Sequence, residues 1–293
     1  MIKIGYACIN TLLPSSARTF RLANYSEKRM LEVSRENISA LRAILEWNRD
    51  QGISLFRITS NLIPFGSSTI NSGVWQRELA DEFREIGSFI RANKMRVSMH
   101  PGQYTVLNTP NPDFYENSLR DLYYHNRILE LMELPPEHII IIHGGGAYKD
   151  KEKSLHVLEK RISSLPREIR KRLALENDEH IFTAEDIYNV CIRTSISGVL
   201  DVYHHSLNPG FQGMSDLEVI LLYKGTWKNC RQKIHYSDQE PSKPSGTHST
   251  SVNLTTFDRF YKTIRDLDLD IMLEVKDKQE SLLKIRKRYR EIR

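Results

Sequence analysis

Cysteine is scarce in this chain, and the lack of cysteine pairs excludes two kinds of architecture. Cys8, Cys191 and Cys230 are odd in number and far apart, so neither a disulfide framework nor a Cys-x-x-Cys zinc unit is indicated. This usage fits a reducing cytoplasm. Long apolar runs are missing as well. The opening MIKIGYACINTLL has no basic segment leading into an extended apolar stretch, and nothing approaches the ~18 apolar residues of a membrane span. Neither export nor membrane insertion is expected. Low-complexity linkers and short-period repeats are absent, and 293 residues are compatible with a single domain over 1–293. Charge of one sign is only mildly in excess, with 42 Lys and Arg against 37 Asp and Glu, a net +5. That balance admits a polyanionic partner but does not separate one from an ordinary solvated surface.

What the chain does have is alternation. Segments rich in Ile, Val and Leu occur at Ile2–Ala7, Ile53–Thr59, Arg96–Met99, Ile139–Ile142, Arg172–Leu175, Gly198–Val202, Lys233–Tyr236 and Asp270–Val275. Several lack strict period-two patterning, as expected of parallel strands covered on both faces. Helical patterns fill the intervals at 26–52, 74–93, 112–134, 153–172, 183–194, 214–225, 255–267 and 278–292, the first opening on a Ser26 cap and stopping at Gly52. Eight strands alternating with eight helices predict a closed (β/α)8 TIM barrel rather than an open sheet. The Pro- and Ser-rich loop Ser237–Ser251 follows a strand, so it belongs to the functional face and is expected to be mobile.

On such a barrel, catalytic groups stand at or just beyond strand C-termini. Tyr6 and Asn10 fall at the end of strand one, and His100, Gln103 and Tyr104 follow strand three. His143 follows strand four, Glu176 strand five, and Asp201 with His204 strand six; His235 and Glu274 lie in strands seven and eight, and His248 follows in the seventh loop. An unpaired buried carboxylate or imidazole is costly, and a divalent cation supplies the missing partner. Imidazole and carboxylate without thiolate suit manganese, zinc or iron, and at roughly three or four donors per ion the set suffices for two ions, or three with bridging. Paired ions activate water and stabilise charge at phosphorus, which points to phosphoester hydrolysis. His125, His138 and His156 lie on helices or ahead of a strand and are read as structural or exposed. His180 is placed in a loop, and His205 is read as supporting His204. Gly144–Gly146 is read as close backbone packing rather than a phosphate loop, and KIRKRYREIR as a solvated helix face rather than a DNA clamp.

The runs GYACIN, LFRITSNLIPF, SMHPGQY, IHGGGAY, LALEND, LDVYHHSLNPG, KIHYSDQ, GTH and LEVKDK span almost the whole chain. Together they resemble the ultraviolet damage endonucleases, which are related in fold to endonuclease IV. The resemblance implies incision of double-stranded DNA immediately 5′ to cyclobutane pyrimidine dimers and 6-4 photoproducts. It also implies a cluster of two to three divalent ions, manganese first, with zinc, magnesium or cobalt as substitutes. The implied ligands are His100, His143, Glu176, Asp201, His204, His235, His248 and Glu274, with Glu176, Glu274 and Lys233 in catalytic roles. Gln103 and Tyr104 would probe the stack, Tyr6 and Asn10 would lie near the flipped dimer, and Lys233 matches a lysine carboxylated in relatives. A monomer without an organic cofactor is expected. One departure stands out: relatives commonly carry a further histidine after strand two, where this chain reads LIPFGSSTINSG with Ser67 and Ser68. Weaker binding at one metal position is therefore expected. An abasic-site endonuclease of the same architecture, a metal-dependent sugar isomerase and a non-enzymatic DNA-binding protein are the alternatives.

Overall fold

The computed structural model describes residues 1–228 and 230–292. Eight parallel strands, β1 Lys3–Cys8, β2 Leu55–Ile58, β3 Arg96–Met99, β4 Ile140–His143, β5 Leu173–Glu176, β6 Ser197–Asp201, β7 Gln232–Tyr236 and β8 Leu269–Leu273, close into a barrel in sequence order. The seam is the β8–β1 pairing, in which Tyr6 stands beside Leu273. Observed strands fall within a residue or two of the predicted ones. The shifts that matter are at the C-terminal ends: β8 stops at Leu273, leaving Glu274 just outside it, and Val202 opens a short helix, Val202–Leu207, instead of extending β6.

Long helices separate successive strands, and their ends follow local chemistry. Ser26 caps Glu27–Asp50 by accepting from the Arg29 amide. Two predicted helices are each split. The 153–172 pattern yields Lys151–Ser164 and Arg167–Arg170, because Pro166 lacks the amide needed to continue the first helix and pushes Leu165 to extended geometry. The 74–93 pattern breaks at Leu79 into Trp75–Glu78 and Ala80–Ala92.

Alternation along the strands sorts residues into two layers. One parity packs under the helices in the large outer core, which includes Ile4, Phe56, Val97, Ile142, Leu175, Ile234 and Ile271. The other parity faces the barrel axis. There Ala7, Leu55 and Met272 form one small apolar cluster, and Ile139, Ile141, Ala174, Val199 and Trp227 form another. Gly5 belongs to this inner row, and a Cβ there would lie 2.4 Å from the Leu55 carbonyl oxygen, so only glycine lets β1 and β2 approach this closely. The inner rows continue upward as Arg96, Ser98 and His100 on β3, as Lys233 and His235 on β7, and as Asp270, Met272 and Glu274 on β8. At the floor, Arg96 pairs with Asp270 at 2.7 Å and lies over the Trp227 ring.

His125 and His138 are buried away from the strand C-termini, and His156 is exposed. His138 is 2% exposed, and its Nδ1 accepts from the Val97 amide at 3.1 Å. Burial, with Arg96, Arg172 and Lys233 nearby, pulls its pKa down to about 3, whereas the unfolded imidazole titrates near ~6.5. The fold holds the neutral form, so this contribution to stability is full above pH ~6.5 and is lost as pH falls towards 3. His138→Asn keeps an acceptor for Val97. It is expected to flatten the pH dependence of denaturant-measured stability between pH ~6.5 and ~5, where the wild type loses up to about 2 kcal/mol through this group. Parallel curves for the two proteins would remove His138 from the account.

Candidate metal centre

The inward rows of β3 to β8 deliver their uppermost polar residues to one mouth. His143 on β4 stands beside Glu176 on β5, and Asp201 on β6 beside His235 on β7. Glu176 is the hub: its Oε2 lies 2.8 Å from His100 Nε2 and 4.0 Å from His143 Nε2, and its Oε1 lies 2.6 Å from His235 Nδ1. His235 Nδ1 also lies 3.1 Å from Glu274 Oε1. Two groups of donor atoms come within 4.8 Å of one another, His100–Glu176–His235–Glu274 and Glu176–Asp201–His204, and Glu176 belongs to both. His143 and His248 flank them, with the His143 ring 5.1 Å from His100 and 6.0 Å from His204, and the His248 ring 5.4 Å from His204.

His248 arrives by a route that periodicity does not reveal. The loop Ser237–Ser251 is folded back on itself by a bridge between Gln239 and His248 and by the Ser249 amide donating to Asp238 O at 2.8 Å, rather than hanging free. Asp201 plays two parts. Its Oδ1 accepts from the His204 amide at 2.7 Å, capping Val202–Leu207, and this turn carries His204 inward.

The orientation of the rings favours a cation. His100 Nδ1 faces the Pro101 carbonyl at 2.9 Å, His204 Nδ1 the Asn177 carbonyl at 3.1 Å and His248 Nδ1 the Glu274 carbonyl at 2.9 Å. A carbonyl only accepts, so each Nδ1 carries the proton and a neutral ring presents Nε2 as a lone pair. His204 and His248 then aim two lone pairs at each other across 3.3 Å, and His100 aims one at a carboxylate oxygen. A shared proton or a metal ion resolves such contacts. Asp201 Oδ2, His143 Nδ1 and His235 Nε2 are buried without a hydrogen-bond partner, so the donor set fits divalent ions.

The electrostatics agree. Burial opposes ionisation of Glu176 and Glu274, but His235 and His100 outweigh it for the first and Arg57 with His235 for the second, holding both below the usual carboxylate range. Burial raises Asp201, because His204 and His235 offset it only in part and Glu176 and Glu274 add to it. Burial lowers His143. His204 is pushed up to about 9, because Asp201, Glu176 and Glu179 outweigh its burial. The mouth thus concentrates negative potential where a cation would sit.

Several contributors escaped the sequence reading. Arg57 on β2 forms an ion pair with Glu274. Asn177 holds β5 to β6, its side chain donating to Asp201 O at 3.1 Å and accepting from Asp201 N at 2.9 Å. Glu179 lies 3.7 Å from His204 Nε2; its one sequence signal is its place three residues beyond a strand-end glutamate. His205 is buried with Nδ1 unpartnered, and His180 is exposed. Gln103 is exposed and Tyr104 is 77% exposed at the mouth. Tyr6 and Asn10 are 0% and 2% exposed, linked by Asn10 Nδ2 donating to Tyr6 Oη at 2.9 Å, with Tyr6 donating to Asn48 at 2.7 Å. They offer no surface to a ligand here, because their polar groups are used inside the fold. Lys233 is fully buried below His235, and the loop after β2 adds no donor to either group.

With this geometry in hand, known proteins discriminate among the chemistries such a mouth supports. Residues 2–293 match the family described as UV-endonuclease UvdE. The chain is 40% identical over 289 residues to the UV DNA damage endonuclease of Clostridium perfringens, covering 97% of this chain and 69% of that protein. It is 32% identical over 306 residues to the UV-damage endonuclease of Schizosaccharomyces pombe, covering 98% of this chain and only 50% of the yeast protein. The crystal structure of SacUVDE superposes with a TM-score of 0.94 at 38% identity, covering 99% of this chain and 100% of that one. D-psicose 3-epimerase from Clostridium cellulolyticum superposes with a TM-score of 0.54 at 11% identity over 92% of this chain and 85% of its own, a likeness of fold alone. A barrel of this topology, matched in sequence from end to end, belongs to the UV-endonuclease UvdE family, and with it to the endonucleases of ultraviolet-damage repair.

Proposed function

We propose that this chain nicks double-stranded DNA immediately 5′ to cyclobutane pyrimidine dimers and 6-4 photoproducts, leaving a 3′-hydroxyl and a 5′-phosphate. The observation that carries the chemistry is the pair of donor groups joined through Glu176. Two to three divalent ions fit imidazole and carboxylate donors without thiolate, manganese first, with zinc, magnesium or cobalt as substitutes. When bound, such ions supply an activated water and stabilise charge at phosphorus. His100, Glu176, His235 and Glu274 would hold one ion, and Glu176, Asp201 and His204, with His248, a second. His143 stands beside Glu176. With Ser67 and Ser68 in place of a histidine, a third position has fewer protein ligands and binds more weakly.

The other residues position and probe. Arg57 pins Glu274, and Asn177 fixes both Asp201 and the His204 ring. Gln103 and Tyr104 project far enough to wedge into a stack that a photodimer has already weakened. Tyr6 and Asn10 would lie near the extruded dimer, and to touch it directly their polar groups have to be freed from each other and from Asn48. Among the described residues, no helix is long and apolar enough to cross a membrane. The chain acts as a monomer on DNA, without an organic cofactor, in the reducing cytoplasm that its unpaired cysteines suit.

Lys233 acts from beneath. It is 0% exposed, its Nζ has no hydrogen-bond partner, and burial with Arg96 and Arg57 drives its pKa far below the usual lysine range. Arg96 Nη2, Arg57 Nε and Ser98 Oγ are buried and unpartnered too. A neutral lysine amine suits carboxylation: its lone pair forms an N–C bond to carbon dioxide, a proton leaves to solvent, and the resulting carbamate anion accepts from these donors. The added negative charge would then favour cations held by the donors above it.

Purified protein with manganese, given irradiated, abasic and intact duplexes side by side, is expected to cut the irradiated strand just 5′ to the dimer. A stronger preference for the abasic duplex would favour the abasic-site alternative. Glu176→Gln should abolish nicking while damaged DNA is still bound, and undiminished cleavage would refute its role. Asn177→Ala is expected to weaken metal binding about 10- to 100-fold by calorimetry of metal-stripped protein, as for other supports of ligating groups; unchanged isotherms would make it purely structural. Labelled bicarbonate should give a carbamate resonance that Lys233→Met lacks, and an unmodified lysine at saturating bicarbonate would end that proposal.

A further inference from the structure

Of the lysines that follow β8, Lys276 meets Glu240 at 3.8 Å and Lys284 meets Asp277 at 3.2 Å, whereas among the described residues no carboxylate comes within ion-pairing distance of the Lys278 ammonium. Yet Lys278 is the most enclosed of the three: the other two are exposed, and it is half-buried with its Nζ open to solvent. The ionisable groups that bear on it are Cys8 at the end of β1, Arg57 on β2, Glu274 and Asp277, which places it on the β1–β8 side of the mouth. Burial lowers its pKa, and Arg57 adds to that against the three acidic groups. The carboxylates among them are already engaged, Glu274 by Arg57 and His235, and Asp277 by Lys284 and Ser251. The backbone is unusual as well. Lys278 precedes the helix Gln279–Arg288 at φ +53° and ψ −116°, a left-handed conformation that favours glycine, and its side chain does not cap the helix. Gln279, 0% exposed, anchors the turn by accepting from the Thr11 amide at 3.0 Å. Strain of this kind persists where the surroundings over-determine it, and it clusters at active sites and ligand clamps.

We infer that the Lys278 ammonium binds a backbone phosphate of the strand being cut, beside the metal donors on the β1–β8 side of the mouth. The inference rests on the nicking function proposed above. An unpaired ammonium whose acidic neighbours are engaged takes an anion from outside, and a strand lying over the donors brings one. The group is a compact charge with N–H donors and no acceptor, which suits a phosphate oxygen and carries no sequence preference, as an enzyme that cuts wherever damage lies requires. Strand order gives the contact its use. In the closed ring β1 and β8 lie across from β4 and β5, so Lys278 steadies the strand on the side away from His143 and Glu176. The strained turn fixes where that charge stands, and Gln279 ties the turn to the loop after β1.

The test uses duplexes carrying one dimer and three variants on the non-nicking Glu176→Gln chain: Lys278→Met, which keeps the stem, Lys278→Gly, which suits the backbone, and Lys278→Arg, which keeps the charge. Lys278→Met and Lys278→Gly are expected to bind about 10-fold more weakly than their parent, the loss of one charged hydrogen bond. The slope of log affinity against log salt should also become shallower by about one. Lys278→Arg should retain both affinity and slope. A neutral methylphosphonate is then placed at one position of the damaged strand at a time, and at one position next to the cut Lys278→Met and its parent should bind alike. Equal binding by these two on the unmodified duplex, or a deficit that persists at every methylphosphonate position, overturns the inference while the nicking function stands. If the wild-type chain does not nick the dimer duplex, or Glu176→Gln does not bind it, the nicking function falls and this inference with it.

Discussion

Two-residue alternation within a closed parallel barrel is the constraint on which the remaining features depend. Once a strand commits one parity to the helices, the other must face the axis, and in a parallel barrel all those inner rows rise to the same mouth. An axis filled with apolar side chains would be the stable solution. Here apolar Ala7, Leu55, Ile141 and Val199 share the axis with an ion pair at the floor and with carboxylates and imidazoles at the mouth. Buried charge of this kind holds only while each group has its counterpart, and removing one member leaves the others uncompensated. Glu176 answers to three histidines and Glu274 to Arg57 and His235. The mouth is consequently a place where stability has been traded for chemistry.

Much of this was legible in the sequence because its physics is local. Apolar runs flanked by helical patterns locate strands, and a strand end followed by His or Glu locates a donor; His100, His143, Glu176, Asp201 and His235 needed little more. What stayed hidden depends on partners distant along the chain. Tyr6 and Asn10 look available at the end of β1, and only the fold brings Asn48 to bond Tyr6 from within. Arg57 reads as an ordinary strand residue until the barrel closes and Glu274 stands beside it. His248 was named from the sequence, but its approach to the other donors depends on how a long loop doubles back, which composition does not encode. Pro166, by contrast, marked its helix break openly, and the 153–172 pattern ran through it because amphipathic spacing persists on both sides.

Small hydroxyl residues at Ser67 and Ser68 line a groove that runs outward from Tyr104, instead of adding a donor over the axis. Small side chains keep that groove open.

The donors are drawn from every strand between β3 and β8, Arg57 comes from β2, and Gln279 of the last helix bonds the Thr11 amide to tie the final loop to the first. No half of the barrel contains both donor groups. A chain missing its C-terminal quarter lacks His235, His248 and Glu274, which leaves only His100 and Glu176 of the four-residue donor group. Closure of the ring is therefore what assembles that group: the donors of β7 and β8 meet those of β3 and β5 only when the last strand has paired with the first.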